Sequence, residues 1–110
     1  MKQLKSTIAI TILTFFVACT PANIKESSFK VWGNCNMCKE TIESSLQTNG
    51  IQSAEWNVDN KIIQVRFDTT KIKLDAIQQL IANAGYDNDK YKGKDSIYSQ
   101  LPECCQYVRK

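Results

Sequence analysis

Between Ile51 and Asp68 the sequence is built from two alternating apolar and polar stretches separated by Asp59-Asn60. A turn dipeptide between two runs of period two predicts a β-hairpin. Ala54, Trp56 and Val58 share one face of its first strand, 51–58. Ile63, Val65 and Phe67 share one face of its second, 61–68, with Gln64 and Arg66 on the other. A hairpin with one apolar face must bury that face against something else.

The flanking sequence supplies the cover. Upstream, Phe29-Lys30-Val31-Trp32 alternates and predicts a strand that ends at Gly33-Asn34. It is followed by a helical stretch from about Met37 to Thr48, with Met37, Ile42 and Leu46 in helical register and Asn49-Gly50 closing it. Downstream, Leu74, Ile77, Leu80, Ile81 and Ala84 mark a second amphipathic helix, closed by Gly85. Tyr86 onward predicts a short fourth strand. The order is β-α-β-β-α-β, an α+β ferredoxin-like sandwich with two helices on one face of a four-stranded antiparallel sheet. Ser96 to Leu101 predicts one further helical turn or two before Pro102.

The N-terminus predicts a targeting segment. Lys2 and Lys5 precede the mostly apolar run Ile8 to Val17, which leads to Ala18-Cys19. About ten apolar residues are too few to span a bilayer but suit a signal peptide. Phe16-Val17-Ala18-Cys19 resembles a bacterial lipobox, although the commoner form has Leu where Phe16 stands. That reading makes residues 1–18 a signal peptide and Cys19 a lipidated first residue. The protein is then expected in the cell envelope, lipid-anchored to a membrane or periplasmic. Residues 19–27, polar and containing Pro21, are expected to be a tether; 28–89 the folded domain; and 90–110 a C-terminal extension.

Composition narrows the chemistry. The 110 residues contain no histidine, which excludes imidazole metal ligands and histidine-based catalysis. The net charge is +3, and with Lys2 and Lys5 set aside the chain from Cys19 onward carries 12 basic and 11 acidic residues. Such a body has no basic field for nucleic acid. No acid–base pair or phosphate loop is evident, so the expectation is a non-enzyme.

Four cysteines remain beyond Cys19. Cys35 and Cys38 form a Cys-x-x-Cys motif at the junction of the first strand and first helix, while Cys104 and Cys105 are adjacent. A helix amino end lowers thiol pKa, and the thiolate is both metal ligand and nucleophile. Two converging thiolates without imidazole suit a soft ion such as Cu(I). An extended return of the C-terminal segment could bring Cys104 and Cys105 over the pair, either as further ligands, which would favour zinc or a Cu(I) cluster, or in a disulfide to it. Met37 is expected to pack, and Lys39 to be a solvated surface lysine.

Residues from Lys30 to about Asp87 resemble the heavy-metal-associated domains of copper chaperones, metal-pumping P-type ATPases and periplasmic mercuric-ion binding proteins. The resemblance rests on the Cys-x-x-Cys after a first strand, the element order, and Ala84-Gly85-Tyr86 closing the second helix. It implies that Cys35 and Cys38 are metal ligands and that Gly85-Tyr86 packs beside them. It also implies a heavy-metal cargo, Cu(I) foremost with Zn(II) and Hg(II) as further candidates, and an ATPase or efflux component as partner. The chain departs from the family pattern at Gly33, where Met is usual, and at Asn34, where Thr or a Ser-like residue is usual. The alternative function is a thiol–disulfide redox protein using the same pair. Asn34 in place of an aromatic before Cys35, and the absence of a proline facing the pair, argue against it.

Overall fold

The computed structural model describes residues 23–110; the signal segment 1–18 and Cys19 lie outside them. The predicted hairpin is formed by β2 (Ile51–Trp56) and β3 (Ile62–Asp68). Its turn is held by Asn57, whose Oδ1 accepts the N–H groups of Asp59 and Asn60 at 2.8 and 3.1 Å. The first strand, β1 (Ile24–Lys30), pairs antiparallel with the other edge of β3, giving the order β1-β3-β2. Phe29, Ile63 and Trp56 lie side by side across the three strands, all buried. Val65 and Phe67 continue that apolar face, and Gln64 and Arg66 point away from it, as the alternation predicts.

Two helices cover the apolar face. α1 (Asn36–Ser44) buries Cys38 and Ile42, and Leu46 continues the row beyond its end. The inner register is therefore Cys38, Ile42 and Leu46, four residues apart, which places Met37 one step round the helix. Met37 is 49% exposed, contrary to the expectation that it packs. α2 (Leu74–Asn83) buries Ile77, Gln78, Ile81 and Ala82. Gly85 follows it at φ +98°, a left-handed position that suits glycine just past a helix end.

Three expectations are corrected. β1 begins at Ile24, inside the segment read as tether, because Ile24 to Ser28 complete the ladder with β3 despite their polar outer face. The fourth strand is reduced to a single antiparallel bridge, Val31 to Asn88, so the sheet has three strands among the described residues. Asn88 itself is the reason. Its side-chain oxygen accepts the N–H groups of Lys90 and Tyr91, both at 3.1 Å, and its own N–H donates to the Tyr91 carbonyl at 2.8 Å. That local turn takes the chain away from the sheet edge before a strand can extend.

The third correction concerns the C-terminal segment, which belongs to the core. α3 (Asp95–Tyr98) occupies part of the predicted 96–101 stretch, and a 3-10 turn follows at Glu103–Cys105. Cys105 and Tyr107 are 1% and 2% exposed and join the cluster formed by the sheet and helices. Two backbones meet where the segment crosses the end of α2. A Cβ on Gly93 would lie 2.6 Å from the Gly85 carbonyl carbon, so only glycine fits there. Among the described residues, no helix is long and apolar enough to cross a membrane.

A candidate thiolate metal centre

The site is built at the exit of β1. Val31 is wholly buried and its carbonyl accepts the Trp56 indole N–H at 3.0 Å. The indole ring then fills the space beside Gly33. A Cβ on Gly33 would lie 3.0 Å from two ring carbons and 3.3 Å from the Cys38 Cβ. The glycine at the position where the family pattern carries Met is therefore the complement of Trp56. Sequence alone gave no sign of this, since the two residues are 23 positions apart.

Cys35 caps the amino end of α1 with extended backbone, and its carbonyl accepts the Lys39 N–H at 3.0 Å. Cys38 lies in the first turn, wholly buried. Their sulfurs are 3.8 Å apart. The Asn34 N–H points at the Cys38 sulfur at 3.4 Å. The backbone N–H of Cys38 lowers the Cys35 thiol pKa most; the Met37 N–H and the Cys38 and Cys104 side chains add to this, against the opposing effect of burial. Together they bring it from an ordinary 9.0 to about 7. Cys35 is half-buried, so the pair has an accessible, acidic member and an enclosed one.

The C-terminal segment brings a third sulfur. Cys35, Cys38 and Cys105 place their Sγ atoms within 4.8 Å of one another. Burial pushes the Cys105 thiol pKa strongly upward, and the neighbouring Cys38 adds to this. Cys104 does not point inward. Its thiol is 3.4 Å from the Met37 sulfur and 3.9 Å from that of Cys105, while its carbonyl lies 3.7 Å from the Cys35 sulfur and 3.4 Å from the Asn34 side-chain nitrogen. The structure thus separates the vicinal pair into an inner Cys105 and an outer Cys104. Among the described residues the four cysteines are free thiols.

Tyr86 closes the floor of the site. It is wholly buried, and its hydroxyl has no hydrogen-bond partner. Burial raises its pKa most, followed by the charges of Cys38 and Cys105, which are buried in the same cluster. This role was not evident from sequence beyond the resemblance at Gly85-Tyr86. Lys39, expected to be solvated, instead donates to the Trp56 carbonyl at 2.8 Å and pairs with Glu43 at 2.9 Å, so its charge is committed away from the sulfurs.

Residues 34–87 match the model of the heavy-metal-associated domain. Copper chaperone CopZ of Staphylococcus aureus is 34% identical over 55 residues, which span 49% of this chain and 81% of the chaperone. This chain belongs to the heavy-metal-associated domain family. Copper chaperone CopZ of Staphylococcus epidermidis is 33% identical over the same shares of the two chains. Among solved structures, a CopZ metallochaperone superposes with a TM-score of 0.56 at 30% identity, covering 58% of this chain and 98% of that one. Oxidised MerP from Ralstonia metallidurans superposes with a TM-score of 0.57 at 20% identity, covering 60% and 94%, a likeness of fold. The matched region ends at Asp87, so Cys104, Cys105 and Tyr107 lie outside it.

Proposed function

We propose that this protein is an exported, membrane-anchored carrier of a soft metal cation, Cu(I) foremost, which it captures through Cys35 and Cys38 and hands on by thiolate exchange. The observation that carries this reading is the 3.8 Å sulfur pair at the amino end of α1, one member accessible and acidic, the other enclosed. Its relatives that are named copper chaperones support the choice of ion.

The geometry suggests a sequence of steps. An incoming ion meets the Cys35 thiolate first, because that sulfur is both accessible and readily deprotonated near neutral pH. Cys38 then binds and releases its proton to solvent, and the Asn34 N–H supports the charge left on its sulfur. In delivery the accessible Cys35 is displaced first: a thiolate of the acceptor binds the ion as the bond to Cys35 breaks, and a second replaces Cys38, so the metal changes hands with no change of oxidation state. An acceptor with its own thiolate pair, such as a metal-pumping ATPase or an efflux component, fits that chemistry. Nothing in this sequence of steps is a catalysed reaction of a substrate, consistent with a non-enzyme. Export and attachment through Cys19 complete the reading, with the folded domain held close to the membrane surface.

Differential alkylation tests the capture step. The reduced protein is incubated with or without one equivalent of Cu(I), treated with iodoacetamide, and mapped by mass spectrometry. Protection of Cys35, the accessible member of the pair, by Cu(I) is expected. Full labelling of Cys35 in the presence of the metal, together with disulfide reductase activity, would favour the redox alternative. For the anchor, Cys19→Ser is expected to move the protein from the membrane to the soluble envelope fraction; unchanged fractionation would contradict it.

A further inference from the structure

The spacing of the Cys35–Cys38 pair lies nearer a trigonal than a linear arrangement, and a third sulfur is at hand. With a metal–thiolate bond of ~2.3 Å, a linear arrangement needs sulfurs about 4.6 Å apart, and a trigonal one about 4.0 Å. Cys35 and Cys38 are 3.8 Å apart, already close to the trigonal edge. Cys105 lies on the third side, within 4.8 Å of both sulfurs, so a shift of under 1 Å completes the triangle. A tetrahedral site would need a fourth sulfur. Among the described residues the other sulfur of a cysteine is that of Cys104, which is turned outward onto Met37.

The segment carrying Cys105 is fixed independently of any metal. Tyr107 donates from its hydroxyl to the Gly85 carbonyl at 2.7 Å and accepts the Asp87 N–H at 2.8 Å. Its ring stacks on Tyr86 at 5.6 Å and meets Tyr98 edge-on at 5.1 Å. The Tyr98 hydroxyl donates to the Tyr107 carbonyl at 2.6 Å, and Arg109 reaches the buried Asp87 carboxylate at 2.8 Å. These contacts hold Cys105, two residues before Tyr107, against the Cys-x-x-Cys loop. Tyr86 is buried in the same cluster as Cys38 and Cys105, its hydroxyl has no hydrogen-bond partner, and a metal-bound thiolate is a stronger acceptor for it than a thiol.

We propose that Cys105 is the third ligand of a trigonal three-thiolate centre, with the C-terminal segment acting as a strap across the Cys-x-x-Cys pair and Tyr86 as the positioning donor to the metal-bound sulfurs. This rests on the reading of Cys35 and Cys38 as the capture pair and extends it. Each sulfur that binds releases its proton to solvent, and no electron is transferred. The strap slows the hand-over: a partner must displace Cys105 as well as Cys35 and Cys38, which favours retention of the ion over rapid exchange.

X-ray absorption on the reduced full-length protein, loaded anaerobically with one equivalent of Cu(I), counts the sulfur ligands directly. Three sulfurs are expected in the wild type and in Cys104→Ser, and two in Cys105→Ser. Tyr86→Phe is expected to keep three sulfurs and bind about tenfold more weakly in a chelator competition. Two sulfurs in the wild type, or a loss seen with Cys104→Ser rather than Cys105→Ser, overturns the three-thiolate centre and leaves the Cys35–Cys38 pair standing. A wild type that binds no Cu(I) overturns the pair as well. The wild-type count does not depend on any variant folding.

Discussion

The carboxylate of Asp87 is wholly buried, and the guanidinium of Arg109 reaches it from the far end of the chain at 2.8 Å. Asp87 also accepts the N–H groups of Gly93 and Lys110 at 2.7 and 3.0 Å. One acid therefore gathers the start of the C-terminal segment and its last two residues. Arg109→Ala removes the charged partner but leaves both N–H donors, so the expected loss is about 2 kcal/mol. Urea denaturation checks the magnitude. Hydrogen exchange should show lost protection in 93–110 with β2 and β3 unchanged.

Acid should loosen the same segment. Burial acts to raise the Asp87 pKa, but the Arg109 guanidinium and the Lys110 and Gly93 N–H groups outweigh it and hold the carboxyl below its ordinary value. A folded pKa below the unfolded value of about 3.9 means that the contribution is complete above pH ~4 and is lost as pH falls through the folded value. Stability should decline below pH ~4, and Asp87→Asn, less stable at neutral pH, should show a shallower decline. Partly exposed Asp68 and Asp75 are lowered too, Asp68 first by the Thr70 hydroxyl and Asp75 first by Lys90. Their exposure makes their share smaller. Denaturation at pH 6, 4 and 3 measures both slopes.

Gly33 should not tolerate a methyl group. Its Cβ would meet the Trp56 ring at 3.0 Å, and the ring is tied by its N–H to Val31. Gly33→Ala is expected to cost about 1–3 kcal/mol by overpacking. Gly33→Ala combined with Trp56→Phe should recover part of that loss, which a double-mutant cycle would detect as a coupling.

Thiol reactivity should report the asymmetry of the site. In the metal-free protein the rate of Cys35 alkylation is expected to rise with a midpoint near pH 7, not near 9, because the thiolate is the reactive form. Cys105, buried and raised in pKa, should stay unlabelled over the same range. Mass spectrometry resolves the two sites.

The hairpin and both long helices were legible because each carries its own local signal: alternation at 63, 65 and 67, and the apolar register of Leu74 to Ala84. The Cys35–Cys38 pair was legible for the same reason, since its spacing and its helix start lie within four residues. Elsewhere the deciding contacts are long-range. After Ile24 the start of β1, Lys25 to Ser28, is polar and is a strand because β3 pairs with it. Asn88 ends the fourth strand through a side-chain turn that competes with the sheet. Cys104 and Cys105 are indistinguishable in sequence. Their inner and outer positions follow from Tyr107 anchoring on Gly85 and Asp87, some twenty residues earlier.

The central claim is soft-metal capture by Cys35 and Cys38, and Cu(I) affinity tests it most directly. The reduced full-length protein is titrated anaerobically against a competing Cu(I) chelator, beside the Cys35→Ser/Cys38→Ser double variant. One tightly bound Cu(I) is expected in the wild type, weakened by roughly 1,000-fold or more in the variant, equivalent to about 4 kcal/mol. Equal affinity in the two proteins would contradict the account.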